Sequence, residues 1–109
     1  MTKYLISFPA AAMNLSPDEF VAAGEDSRAV IREAKAIVAY VFGGGIDADV
    51  APVMISGDGT VTAGTYQQTR EFDGGFCVLE LPSREDAEKW AAKIAAACRC
   101  AQELREFMY

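Results

Sequence analysis

The chain has 109 residues, 51% of them hydrophobic, with nine glycines and four prolines, which fits one globular unit spanning residues 1–109 and excludes a disordered or collagen-like chain. Ten basic against sixteen acidic residues leave a net charge of −6, which opposes phosphate backbones and anionic bilayers, so no nucleic acid and no membrane is expected as a partner. Histidine is absent, so any acid–base chemistry near neutral pH falls to a carboxylate, tyrosine, lysine or thiol.

Lys3 to Phe8, rich in β-formers and stopped by Pro9, predicts a first strand. Ser16, Pro17 and Glu19 then form a helix start: a cap, a residue suited to the first helical position and the returning carboxylate of a capping box, with Leu15 placed to staple against Phe20. The helix is expected to run to Lys35, with Phe20, Ala23, Ser27, Val30, Ile31 and Ala34 facing inward, Arg28 and Arg32 mostly outward, and Gly24 as its weak point. Ile37 to Phe42 predicts a second strand, ended by a flexible turn at Gly43 to Gly45. Val50 to Ser56 and Thr60 to Thr62, flanking Gly57-Asp58-Gly59, predict a β-hairpin. Phe76 to Leu81 predicts a further strand closed by Pro82. Ser83 opens a second helix over 84–97, with Ala87, Trp90, Ala91, Ile94, Ala95 and Cys98 along one stripe and Trp90 expected as a core anchor. Cys100 to Met108 predicts the last strand.

This order, β-α-β, a hairpin insertion, then β-α-β, predicts an α+β fold of the ferredoxin-like split βαβ type with both helices on one sheet face. The opposite face is expected to carry Leu5, Ser7, Val78, Glu80, Glu103, Arg105 and Phe107, a mixture suited neither to water nor to a dry core. Pairing two such faces resolves the conflict, so a homodimer with a shared, barrel-like interior is expected.

The run Val61-Thr62-Ala63-Gly64-Thr65-Tyr66-Gln67-Gln68-Thr69-Arg70-Glu71-Phe72-Asp73-Gly74-Gly75-Phe76, the helix containing Ala87 and Trp90-Ala91-Ala92, and the closing Glu103-Leu104-Arg105 resemble the YCII-related family, specifically its DGPF branch. That branch reads approximately D-G-P-F-x-E-T-K-E at the centre. Here Gly64, Thr69 and Glu71 match the motif, while Ala63, Thr65 and Tyr66 stand at its aspartate, proline and phenylalanine, so the motif is degenerate. The resemblance implies a dimeric α/β barrel built from ferredoxin-like protomers. The histidine–aspartate chemistry proposed for some members is not carried over to a chain without histidine.

The candidate ligand-binding residues are Tyr66, Arg70 and Glu71 in the polar loop with Glu103 and Arg105 on the last strand. Arginines there could hold an anion bidentately while Tyr66 and a glutamate supply a donor and a base, although ion pairing across a dimer interface accounts for the same residues. The expected function is therefore a homodimeric small-molecule-binding or accessory module for a small anionic or aromatic metabolite, without histidine catalysis. The alternative is a cofactor-free enzyme of the dimeric α/β-barrel type using a carboxylate or tyrosine as acid or base, which leaves enzymatic activity open. Neither a metal nor a cofactor is expected. Cys77, Cys98 and Cys100, an odd number read without a secretory leader, are expected as free thiols in the cytoplasm.

Overall fold

The computed structural model describes residues 1–109 and places β1 at Thr2–Phe8, α1 at Pro17–Ala36, β2 at Tyr40–Gly45, β3 at Val53–Ile55, β4 at Val61–Ala63, β5 at Gly75–Leu81, α2 at Arg84–Cys98 and β6 at Glu103–Glu106. Four strands form one sheet in the order β2-β5-β1-β6 with every neighbouring pair antiparallel, and β3 with β4 forms a separate hairpin. Because β1 and β2 both run against β5, they are parallel to each other with β5 between them, the split βαβ of a ferredoxin-like α+β fold.

Period-two alternation decides which face meets the helices. Tyr4 and Ile6 of β1 pair with Leu79 and Cys77 of β5 on the buried face, against Val30 and Ala34 of α1 and Ala87, Ala91 and Ile94 of α2. Ile6 and Leu79 are the largest apolar side chains sealed off completely, each contributing about 1.5–3 kcal/mol. The helix residues in this core are mostly alanine, which lets α1 and α2 lie close on the sheet. The molecule measures 42 × 38 × 20 Å, and its short dimension is one helix layer on one sheet. No helix is long and apolar enough to cross a membrane.

Both helix starts form as the sequence predicts. Ser16 Oγ accepts from the Glu19 N–H at 3.3 Å while Glu19 faces back toward the Ser16 N–H, and Ser83 Oγ accepts from the Asp86 N–H at 3.1 Å. The end of α1 is less comfortable. Ala39 N–H donates to Ala34 O and Val38 N–H to Lys35 O, the bond pair of a Schellman stop, which puts Val38 at φ 60° where glycine is the usual occupant. A β-branched residue in this region carries roughly 1–2 kcal/mol of strain. Val38 is almost fully exposed, so Val38→Gly loses no packing and is expected to raise stability by about 1 kcal/mol in chemical denaturation.

Several expectations are corrected. Gly43 to Gly45 do not form a turn: they are the end of β2, paired with Cys77, Phe76 and Gly75. A Cβ on Gly43 would stand 2.7 Å from the Phe76 carbonyl oxygen and 2.8 Å from Cys77 Cβ, so close strand approach, not flexibility, is what this glycine provides. Ile37 and Val38 fall in the helix stop and not in the strand, and Phe20 is 58% exposed instead of buried. Trp90 is only half-buried at the core margin, with Lys93 Nζ 4.7 Å from its ring centroid. The hairpin and last strand are shorter than expected, because pairing stops at Val53–Ile55 with Val61–Ala63 and at Glu106.

Candidate functional site

The sheet face away from the helices carries the predicted mixture. Leu5 pairs with Val78 and Arg105, Ser7 with Phe76 and Glu103, and Lys3 with Glu80, whose carboxylate lies 3.2 Å from the Lys3 ammonium. Phe76 is the centre of an aromatic group, 5.9 Å between ring centroids from both Phe42 and Phe72, and those two outer rings are at least half exposed. Ser7 Oγ is buried beside this group without a hydrogen-bond partner. The face is thus an exposed apolar patch framed by charge.

The five sequence-derived residues divide into two sets. Glu103 and Arg105 form an exposed ion pair at 3.3 Å on β6. Tyr66, Arg70 and Glu71 surround a single helical turn at Gln67–Thr69, all exposed, and no side-chain hydrogen bond or ion pair joins them to β6 within the chain. Nearby Asp73, not singled out from sequence, ties this loop to the end of β1 by accepting from the Ala10 N–H at 3.0 Å.

A second site, which the sequence reading missed, lies on the other side of the sheet. Between α1 and the β2–β5 pair is a half-open cavity of about 590 Å³, within the range of small-molecule sites. Its apolar lining includes Phe8, Met13, Ile31, Tyr40 and Cys77, with Ile94 and Cys98 contributed from β5's covering helix, α2. Gly43, Gly44, Gly45 and Gly75 form a wall of nearly bare backbone, and exposed Phe20 stands at the edge. Arg28, Arg32 and Lys35, spaced i, i+4 and i+7 on α1, line the same cavity. The sequence pattern places Arg28 and Arg32 mostly outward because charges on a helix ordinarily face water; the signal available in the sequence was three like charges in one row beside a mid-helix glycine. Gly24 costs α1 roughly 1 kcal/mol against alanine, and the Arg28 guanidinium lies over it, its Nη1 3.4 Å from where a Cβ would stand.

The thiols in this region are not nucleophiles at neutral pH. Burial, with a smaller contribution from Cys98, pushes Cys77 up to about 12, and burial, with Cys100, pushes Cys98 up to about 11. Tyr40 is likewise raised, by burial first and by its proximity to Cys77 second. No group of three or more carboxylates and thiols converges as a metal site.

No curated protein matches the chain. The family model for the YCII-related domain, however, matches residues 20–107, from the middle of the first turn pair of α1 to just beyond β6, and so covers the cavity wall, the aromatic patch and most of the sheet. A match of that extent over a ferredoxin-like fold makes the chain a member of the YCII-related family.

Proposed function

We propose that this protein is a homodimeric small-molecule-binding or accessory module of the DGPF branch of its family, acting in the cytoplasm without histidine catalysis. The observation that carries the binding role is the cavity of about 590 Å³ between α1 and the glycine-walled strands, whose lining suits an apolar or aromatic body.

The dimer is supported by the shape of the protomer. Its radius of gyration is 15.2 Å where about 13 Å is usual for a chain of this length, and only 15 of 109 residues are buried. Leu5, Phe42, Phe72, Phe76 and Val78 supply the apolar surface that a second copy would cover. In that arrangement Tyr66, Arg70, Glu71, Glu103 and Arg105 are the polar residues at the margin of the shared interior, available to a small anionic or aromatic ligand or to ion pairs between copies.

One set of samples tests the reading. Light scattering at micromolar concentration is expected to return twice the 11.7 kDa of one chain. The neutral aromatic 1-naphthylacetamide is expected to bind the wild type in saturation-transfer NMR and to lose binding in Gly45→Phe, a substitution at a cavity position where a Cβ meets nothing within 4 Å. A monomer removes the shared interior; an amide that binds neither protein removes the cavity as a ligand site.

A further inference from the structure

We infer that the cavity recognises an amphipathic organic anion, an aromatic or aliphatic body carrying one carboxylate or phosphate, with Arg28, Arg32 and Lys35 as the anion-binding residues. This rests on the reading of the cavity as the ligand site and assigns the chemistry of what enters it.

The argument begins with how the protein uses its cations. Six of the ten basic residues, Lys3, Arg84, Lys89, Lys93, Arg99 and Arg105, are within ion-pair distance of a carboxylate. In a chain with sixteen acidic residues that is unsurprising. Of the four left without such a partner, three are Arg28, Arg32 and Lys35, and all three line the one cavity. Arg70 is the fourth.

Their spacing sharpens the point. Arg28 and Arg32 are four residues apart and Arg32 and Lys35 three apart, so neighbouring like charges repel along α1, an arrangement that destabilises a helix unless something negative lies between them. No carboxylate of the protein lies within ion-pair distance of any of the three. Two of the charges are held at the cavity, where Gly24 leaves the space over which Arg28 lies and Lys35 Nζ is 5.1 Å from the ring centroid of Tyr40, itself a lining residue, and Arg32 lines it as well. Two guanidinium groups offer the paired N–H geometry that fits a carboxylate or phosphate, and the ammonium adds a third donor group. The apolar interior and cationic edge together match a ligand with one charged end.

The test compares three probes of one shape by calorimetric titration at low salt: 1-naphthylacetate, 1-naphthyl phosphate and neutral 1-naphthylacetamide. At least one anion is expected to bind tenfold or more tightly than the amide. In Arg28→Gln/Arg32→Gln, substitutions of exposed side chains, that preference is expected to fall to less than threefold while the amide binds as before. Lys89→Gln/Lys93→Gln, the same loss of two charges at exposed ion pairs on α2 outside the cavity, is expected to keep the preference. Anions and amide binding equally well, or a preference that survives the double substitution, overturns the anion assignment and leaves the cavity as an apolar site. Failure of all three probes to bind overturns the cavity reading as well.

Discussion

Gly74→Ala is expected to cost about 3 kcal/mol and to lower the melting temperature by more than roughly 10 °C. A Cβ at this position would stand 2.2 Å from the Phe8 carbonyl oxygen and 2.8 Å from both Ala10 N and Pro9 C, all backbone atoms that cannot swing aside. The junction is also held by hydrogen bonds on either side: Asp73 accepts from Ala10 N–H, and Gly74 O accepts from Ile46 N–H at 2.7 Å. Here the end of β1, the end of β2 and the start of β5 meet, so opening the contact displaces Phe8, Gly45 and Gly75 at the cavity. Gly57→Ala, where a Cβ meets nothing within 4 Å, is the comparison and is expected to change stability by no more than about 0.5 kcal/mol. Equal denaturation midpoints for the two variants would show that the junction is not packed as described.

The second large effect concerns alkaline pH. The folded protein keeps the Cys77 and Cys98 protons to about 12 and about 11, whereas the unfolded chain releases them near the ordinary thiol value of 9.0. Above pH 9 the unfolded state therefore binds fewer protons than the folded one, and stability falls as pH rises. The contribution is intact below pH 9 and is lost progressively between 9 and 11–12. At pH 10, one unit above the ordinary thiol value, the loss is on the order of 1 kcal/mol for each thiol. Urea denaturation under reducing conditions from pH 7 to 10 measures it. The double variant Cys77→Ala/Cys98→Ala starts from lower stability, having lost buried side chains, but is expected to show a much shallower decline. Parallel pH profiles for the two proteins would contradict burial of these thiols.

How far the fold could be read in advance depended on whether a feature is local. The capping box at Ser16 and Glu19 involves four consecutive residues and forms as the sequence predicts. The alternation that puts Tyr4 and Ile6 on one face and Leu5 and Ser7 on the other is equally local, and with the element order it led to the sheet topology. Gly43 to Gly45 misled because three glycines have the composition of a turn; their role as a strand follows from Phe76 and Cys77, more than thirty residues away, which leave no room for a Cβ at Gly43. The cavity was hidden for a related reason. Arg28 and Arg32 have the pattern of a solvated helix face, and only the placement of β2 opposite α1 turns that face into one side of a recess. Tyr66, Arg70 and Glu71 could be grouped as a polar loop from sequence, but no side-chain hydrogen bond or ion pair joins them to Glu103 and Arg105 within the chain.

The glycine wall bears on how such a site can diversify. Gly43 is locked by the Phe76 carbonyl and by Cys77 within 3 Å of any added Cβ, and at Gly75 the Phe8 ring would have to shift, whereas Gly44 and Gly45 have room for a Cβ. Under the proposed binding role, changes in ligand preference are expected to arise most readily on α1, whose exposed lining positions can be exchanged without disturbing the strands. The sheet is the fixed frame, and the helix is the part on which natural or laboratory selection can act.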